Sequence, residues 1–181
     1  MRMEKEIETI ASRVVYKNKW MSVREDEIKR ADGTLGIYGV VQKVDYALIV
    51  PKENEYLYLV EQYRYPVEKR YWEFPQGSWE EREIDKLELA KSELKEETGL
   101  IANYLENIGY LYQAYGYSTQ GFNVYLATNM KQGKIELENE EQGLISRKFT
   151  INEVEKMIVK NEIKDISSIS AFCLLRLKNI I

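Results

Sequence analysis

The segment "EFPQGSWEEREIDKLELAKSELKEETGL", residues 73–100, joins a stiff loop to an acidic stretch that stops abruptly at Thr-Gly-Leu. We predict a helix from about Leu87 to Thr98, because apolar residues recur there at the spacing of one helical face. Gly99 follows, and glycine in this position commonly ends a helix. The segment therefore predicts a loop followed by a helix with a defined end.

Three glutamates of this helix, Glu93, Glu96 and Glu97, stand at positions i, i+3 and i+4 and point to one side within a turn. One interpretation is a solvated helix face, since lysines are interleaved with the glutamates. The other is a metal site, because the preceding loop contains Gly77, whose backbone carbonyl can approach the carboxylates. A carbonyl with several carboxylates is an oxygen ligand set suited to Mg²⁺ or Mn²⁺.

The amino-acid composition limits which catalytic residues and metal sites the chain can have. The chain has 181 residues, 44% of them hydrophobic, which suits one domain with a sizeable core and at most a small appendage. It contains no histidine and one cysteine, which excludes Ser-His-Asp and Cys-His catalysis and zinc sites built from histidine or thiolates. Catalysis must therefore rest mainly on carboxylates, Lys, Tyr or hard metal ions. The cysteine, Cys173, lies in the apolar "SISAFCLLRL", and we expect it to be buried.

The net charge and the hydropathy of the chain indicate whether it binds nucleic acid or a membrane. The formal charge is -4 and the pI is about 5.2, so the chain has no basic footprint for nucleic acid. No apolar run approaches the roughly 20 residues of a membrane span, and the N-terminus "MRMEKEIETIASR" is too charged for a signal peptide. We expect a cytoplasmic protein with neither nucleic acid nor membrane partners.

The order of predicted elements indicates an α/β fold. Strand patterns fill the N-terminal part, including "YALIVP" and "YLYLVEQYRYP", and strand patterns resume after the acidic helix. Thr150 and Glu153 predict a capping box that starts the helix "INEVEKMIVKN", and "ISSISAFCLLRLKN" predicts a final helix. We predict a mixed β-sheet covered by helices, an α/β/α sandwich.

The acidic segment resembles the Nudix box, G-x5-E-x7-R-E-U-x-E-E-x-G-U, in which U is aliphatic. Gly77 and Glu83 match its opening, and the helix glutamates with "TGL" match its close. There are two departures. The interval after Glu83 is one residue longer, which we place in the loop "EREIDK". Ser92 occupies the place of the box arginine, which in the family orders the glutamates.

The resemblance extends over nearly the whole chain. "RVVYKNKWMSVREDEI" with "ADGT", "LVEQYRYPVE" before "WEFPQG", and "EIKDISSISAFCLLRL" are similar to the ADP-ribose and ADP-sugar pyrophosphatase branch of the Nudix hydrolases. The resemblance implies a Nudix-type sandwich with an N-terminal β-strand extension, residues 1–42, ahead of a Nudix domain, residues 43–181. It also implies metal-dependent hydrolysis of ADP-ribose or another ADP-sugar to a nucleoside monophosphate and a sugar phosphate.

Two alternatives remain open. The same machinery cleaves dinucleotides such as NADH or dinucleoside polyphosphates, and a Nudix-fold sensor would bind a nucleotide without hydrolysing it. Intact Glu93, Glu96 and Glu97 argue against the sensor, because binding alone does not require a complete metal site.

The resemblance also assigns roles. The carbonyl of Gly77 and the carboxylates of Glu93 and Glu97 are expected to be the principal metal ligands, with Glu96 as an additional or water-mediated ligand. A further glutamate beyond the box often orients or deprotonates the attacking water. The candidates lie in "ELENEEQG": Glu138, Glu140 and Glu141, of which Glu140 and Glu141 are nearest the expected position.

Substrate contacts are expected at four residues. Arg64 matches a family arginine that contacts phosphates, with a surface ion pair as the alternative. Glu73 is expected either near the metal or substrate or in a structural salt bridge. Trp20 and Tyr38 flank the "ADGT" turn, where related enzymes sandwich adenine between two subunits; packing of the N-terminal sheet is the alternative. We therefore expect a homodimer.

Overall fold

The structure is a computed structural model that describes residues 5–79, 85–137 and 141–181. The chain forms two compact units. The N-terminal unit comprises the residues up to Asp45 together with Tyr112–Gly121. The main unit comprises Tyr46–Leu111 and Phe122–Ile181.

The N-terminal unit is built on an antiparallel sheet of β1 (Ile7–Lys17), β2 (Ser22–Arg30) and β3 (Leu35–Gln42), in that order. Gly33 has a φ of 86° in the turn between β2 and β3, a conformation that glycine adopts at little cost. A single sheet without a helix layer leaves much apolar surface uncovered, and every described side chain of β1 is exposed.

The main unit contains a seven-stranded sheet. Its strands are β4 (Tyr46–Glu53), β5 (Tyr56–Arg64), β6 (Lys69–Glu73), β7 (Gln76–Gly77), β8 (Leu100–Tyr112), β9 (Gly121–Gln132) and β10 (Ile145–Thr150). The order is β10-β5-β4-β9-β8, with β6 on β5 and β7 on β4. The sheet is mixed, because β4 runs parallel to β9 and antiparallel to β5 and β7.

Both faces of the central strands are buried under helices, which explains the apolar run in β4. Leu48 and Val50 face a core that includes residues of α2 (Ile151–Val159) and α3 (Ile166–Leu177). Ala47 and Ile49 face a second core with α1 (Lys86–Thr98). Successive side chains of a strand point to opposite faces, so one strand serves both cores. The predicted α/β fold with a mixed sheet is confirmed.

Local signals in the sequence account for the helix ends. The Thr150–Glu153 capping box is present at the start of α2, as predicted. The prediction that Cys173 is buried was wrong, since its side chain is exposed. Helix α3 buries Ala171, Phe172 and Leu175, and position 173 falls on the opposite side of that face. Among the helices of the described residues, none has the length and apolar character to span a membrane.

Candidate active site

Helix α1 presents two buried carboxylates one turn apart. Asp85 caps the helix by accepting hydrogen bonds from two backbone N–H groups, and Gly99 ends it with a φ of 72°. Leu94 and its apolar neighbours fix one face of the helix in the core. The same fixed orientation buries Glu93 and Glu97, of which only 5% and 1% remain exposed. Buried carboxylates require compensation by hydrogen bonds, cations or protons.

The loop before α1 approaches these carboxylates closely at Gly77. A Cβ atom at this position would lie 2.2 Å from Oε2 of Glu93, well inside any real contact distance. Only glycine therefore fits here without displacing the carboxylate. The adjacent backbone N–H of Gln76 donates to Oε2 of Glu97 at 3.2 Å. Strand β7 thus lies directly against the acidic side of α1.

Glu141 completes a cluster with Glu93 and Glu97. One carboxylate oxygen from each residue lies within 4.8 Å of the other two, a spacing that a single hard cation can bridge. The loop after β9 follows α1 towards this point: the backbone N–H of Glu136 donates to the carbonyl of Glu96 at 3.1 Å. Three carboxylates and no histidine or thiolate form an oxygen donor set that fits a hard divalent ion.

Not every predicted residue joins this cluster. Glu96 is half-buried, and its Oε1 accepts a hydrogen bond from the Ser92 hydroxyl at 2.6 Å. Glu83, Glu138 and Glu140 lie outside the described residues.

Arg64 and Glu73 form an ion pair across neighbouring strands β5 and β6. The Arg64 guanidinium donates through Nε and Nη2 to the two carboxylate oxygens of Glu73, which also accepts from Gln62 Nε2 at 2.9 Å. Glu73 is buried, whereas 41% of the Arg64 side chain is exposed. Two of the five guanidinium N–H donors are used for Glu73, so the others can bind an anion.

The electrostatics of the cluster favour a bound cation. Burial raises the pKa of Glu97 well above its usual range, and the charges of Glu93, Glu141 and Glu73 raise it further. Burial likewise raises the pKa of Glu73, although the charge of Arg64 opposes this shift. The charged form of the cluster is therefore disfavoured without a cation, and a divalent ion would compensate the buried negative charge.

Trp20 and Tyr38 belong to the N-terminal unit. Trp20 is 45% exposed, and the Lys19 ammonium lies 4.3 Å from the centre of its ring. Tyr38 is on β3 and donates its hydroxyl to the carbonyl of Gly116 at 2.7 Å.

Two further residues at the cluster were missed by sequence reasoning. Gln76 contacts Glu97 through its backbone and Asp165 through its side chain. Asp165 could have been recognised as a helix cap from "DISS", because aspartate before a helix with serines in its first turn is a common start signal. Gln76 offers no such signal, since a single amide in a loop matches no pattern.

Two family models together match residues 7–168 of this chain. A family model described as the NUDIX domain matches residues 42–168, and one described as the nucleoside diphosphate sugar hydrolase N-terminal domain matches residues 7–41. An ADP-ribose pyrophosphatase of Mycobacterium tuberculosis is 28% identical over 88% of this chain and 78% of its own. One from Bacillus subtilis is 26% identical over 96% of this chain and 94% of its own.

A third relative and a solved structure are also similar to this chain. A protein named methanol dehydrogenase activator from Bacillus methanolicus is 24% identical over 96% of this chain and 94% of its own. A solved structure titled as an ADP compounds hydrolase has the same fold, with a TM-score of 0.85 at 21% identity over 97% of this chain and 95% of its own. Because the Nudix model spans well over half of the chain, from before β4 into α3, this protein belongs to the Nudix family.

Proposed function

We propose that this protein hydrolyses the pyrophosphate bond of ADP-ribose or a closely related ADP-sugar, with Mg²⁺ as the physiological ion and Mn²⁺ as a substitute. The observation that carries the proposal is the convergence of Glu93, Glu97 and Glu141 beside Gly77. The two ADP-ribose pyrophosphatases among its relatives support the choice of substrate.

The bound ion would neutralise the pyrophosphate oxygens and lower the pKa of a bound water. Water then adds to one phosphorus, the bridging P–O bond breaks, and ADP-ribose yields AMP and ribose 5-phosphate. We assign Glu93, Glu97 and the Gly77 carbonyl to holding the ion. Glu96 is assigned a supporting or water-mediated contact. Glu141 is assigned to accept the proton from the attacking water, because its carboxylate faces the buried pair.

Arg64 is assigned to the substrate phosphates. Its guanidinium is anchored by Glu73 and remains partly exposed, so it can present unused N–H donors to an anion in a fixed orientation. Glu73 then acts as the residue that orients Arg64. In this assignment Arg64 both forms an ion pair and contacts the substrate phosphates, so the two alternatives considered for it hold together.

We further propose a homodimer formed through the N-terminal strands, residues 1–42, with Trp20 and Tyr38 stacking on adenine. The N-terminal sheet supports this proposal, because it exposes a set of large apolar side chains that a partner could cover: Ile7, Ile10, Val14, Val15, Leu35 and Ile37.

The deciding experiment is a substrate panel. The purified, metal-stripped protein is incubated with ADP-ribose, ADP-glucose, NADH, a diadenosine polyphosphate and ATP, each with Mg²⁺ or Mn²⁺, and the products are separated by ion exchange. We expect the highest kcat/KM for ADP-ribose or ADP-glucose, with AMP as a product. Preference for NADH or the diadenosine compound would support the dinucleotide alternative. Binding without any hydrolysis would support the sensor.

A further inference from the structure

Gln76 connects two carboxylates that come from different helices. Its backbone N–H donates to Oε2 of Glu97 on α1 at 3.2 Å, and its side-chain Nε2 donates to Oδ2 of Asp165 at 3.1 Å. Asp165 is the N-terminal cap of α3. One residue of the loop before α1 therefore contacts both the acidic cluster and the start of the last helix.

The partner of this contact is itself rigidly held. Oδ2 of Asp165 also accepts from the backbone N–H and the hydroxyl of Ser168, at 2.8 and 2.7 Å. The Ser168 hydroxyl oxygen in turn accepts from the backbone N–H of Phe74 at 2.8 Å. Ser168 is buried, with 1% exposed. The segment 74–77 is thus tied to the first turn of α3 at two positions, Phe74 and Gln76.

This second attachment matters because β7 is short. It pairs with β4 at only two positions, Ala47 with Gly77 and Leu48 with Gln76. These two pairs and the hydrogen bond from the Ile49 N–H to the Pro75 carbonyl at 2.9 Å attach the segment to β4 through its backbone, and Gly77 carries no side chain that could add packing. The amide contact from Gln76 to Asp165 supplies a side-chain anchor next to the glycine that lies against Glu93.

The chemical nature of the side chain is also specific. Gln76 donates to the carboxylates of both Glu97 and Asp165, and the charge of Glu73 also acts on Glu97. An amide donates a hydrogen bond to Asp165 without adding a further negative charge. A carboxylate of the same shape at position 76 would instead repel Asp165 and Glu97.

We propose that Gln76 is a positioning residue, which tethers the Gly77 loop to the Asp165 cap of α3 and thereby sets the affinity of the Glu93–Glu97 site for its divalent ion. The inference rests on the proposed metal-dependent function. It assigns Gln76 no contact with substrate. Loss of the tether should weaken metal binding and leave the KM for ADP-ribose at saturating metal nearly unchanged, because residues that hold metal ligands in place act chiefly on the metal.

Two variants with side chains of similar size show whether Gln76 acts through its hydrogen bond to Asp165 or only by filling space. Gln76→Met keeps the length of the side chain and removes the donor, whereas Gln76→Glu keeps the shape and reverses the interaction with Asp165. Neither substitution removes the backbone N–H that donates to Glu97. We expect Gln76→Met to weaken Mn²⁺ binding about tenfold, in the range found for residues that support metal ligands. Gln76→Glu should weaken it further.

The measurement is free Mn²⁺ by electron paramagnetic resonance, titrated into metal-stripped protein without substrate. Gln132→Met is the control, because the Gln132 amide also lies near α1 but hydrogen-bonds to backbone carbonyls, those of Thr98 and Gly133, instead of to a carboxylate. Thermal unfolding in EDTA verifies that each variant is folded. If Gln76→Met does not fold, Gln76→Asn serves instead. Its side chain keeps the amide donor but is one methylene too short to reach Asp165.

The outcomes are distinct. Wild-type protein that fails to bind Mn²⁺ would overturn the proposed function itself. Wild-type affinity in folded Gln76→Met and Gln76→Glu would overturn only the tether. A Gln76→Glu protein that matches wild type while Gln76→Met is weakened would also overturn it, because it would show that a polar side chain of the right size suffices whatever its charge.

Discussion

Ser92 donates its hydroxyl hydrogen to Oε1 of Glu96 across one turn of α1, at 2.6 Å. The Nudix pattern has an arginine at this place, and two lysines nearby could have replaced it. Both are engaged elsewhere: Lys91 pairs with Glu88, and Lys95 pairs with Glu136. Of these three residues it is therefore Ser92, through its hydroxyl, that contacts one of the glutamates that define the box motif.

This contact predicts that Ser92→Ala weakens the enzyme at limiting metal. Glu96 would lose a donor to its charged carboxylate, and we expect the Mg²⁺ concentration for half-maximal rate to rise roughly tenfold. Ser92→Thr retains the hydroxyl and is the matched control. Ser92→Arg restores the family residue and should tighten metal binding. Metal titrations of the initial rate measure all three, and equal values for Ala and Thr would refute the role of the hydroxyl.

Glu97 illustrates a conflict between stability and function. Its pKa in the folded protein is raised by burial and by Glu93, Glu141 and Glu73, so its charge destabilises the metal-free fold at neutral pH. Glu97→Gln should lower turnover by on the order of a hundredfold or more. The same variant should be more stable than wild type in EDTA at neutral pH, because the neutral amide avoids a buried charge.

The pH dependence of this difference has a definite sign. A carboxyl whose folded-state pKa is raised binds more protons in the native than in the unfolded state, so its destabilising effect is full above the raised pKa. The effect shrinks as the pH falls through that value and vanishes below the ordinary carboxyl pKa. The stability gap between Glu97→Gln and wild type in urea unfolding should therefore narrow on acidification. Glu88→Gln, exposed on the same helix, is the control for the loss of a carboxylate from α1.

Local signals made it possible to predict helix α1 from the sequence. Apolar spacing and Gly99 placed its end at Thr98, as found, and its start within one residue of Lys86. Strands β6 and β7 were not predicted, because pieces of five and two residues are too short to show a period. The pattern "LENIGYLYQAYG" predicts a strand that begins at Leu105, whereas β8 begins at Leu100, immediately after the reversal at Gly99.

Contacts between distant parts of the chain could not be predicted in the same way. Gln76 and Asp165 are 89 residues apart, and only the packed sheet brings their side chains together. The convergence of Glu141 on Glu93 and Glu97 also depends on the path of the loop after β9. The family resemblance limited the candidates to three glutamates of one loop, but residue spacing alone could not choose among them.

Glu141 is expected to act as the base for the attacking water. Glu141→Gln should lower kcat by about a hundredfold, within the range for loss of a general base. Glu136→Gln is the matched control, since Glu136 lies in the same loop and its exposed carboxylate pairs with Lys95. Glu138→Gln and Glu140→Gln test the other two candidates. Near-normal rates in Glu138→Gln, Glu140→Gln and Glu141→Gln alike would mean that another group activates the water.

Arg64 is predicted to serve both the fold and the substrate. Arg64→Lys keeps the charge but loses the planar fork, so the KM for ADP-ribose should rise about tenfold. Arg64→Ala should also lower the free energy of unfolding, because it leaves Glu73 buried without its partner. The loss should be smaller than the roughly 3–5 kcal/mol of a fully buried pair, since 41% of the Arg64 side chain is exposed.

The double variant Arg64→Met/Glu73→Gln separates these two roles. Removing both charges should recover most of the stability measured by urea unfolding, because no buried charge remains unpaired. The KM should stay high, since no guanidinium is left for the phosphates. A double variant with a wild-type KM would confine Arg64 to a structural role.

Trp20 offers the sharpest test of how the nucleotide base is held. The residue is 45% exposed, and the described contact over its ring is the Lys19 ammonium at 4.3 Å, so truncation should cost little stability. Stacking on a base contributes roughly 1–3 kcal/mol, and Trp20→Ala should therefore raise the KM for ADP-ribose about five- to a hundredfold. The effect on kcat should be smaller, because adenine is remote from the reacting phosphorus.

Tyr38 supplies the matched comparison for Trp20. Tyr38→Phe removes the hydroxyl that donates to Gly116 but keeps the ring, so its KM should stay near wild type, whereas Tyr38→Ala should behave like Trp20→Ala. Tyr104→Ala removes an exposed ring from β8 and controls for the loss of a surface aromatic. Sedimentation velocity at assay concentrations measures the oligomeric state in parallel. A fully active monomer would contradict the two-subunit sandwich, and an unchanged KM in folded Trp20→Ala would show that this ring does not hold the base.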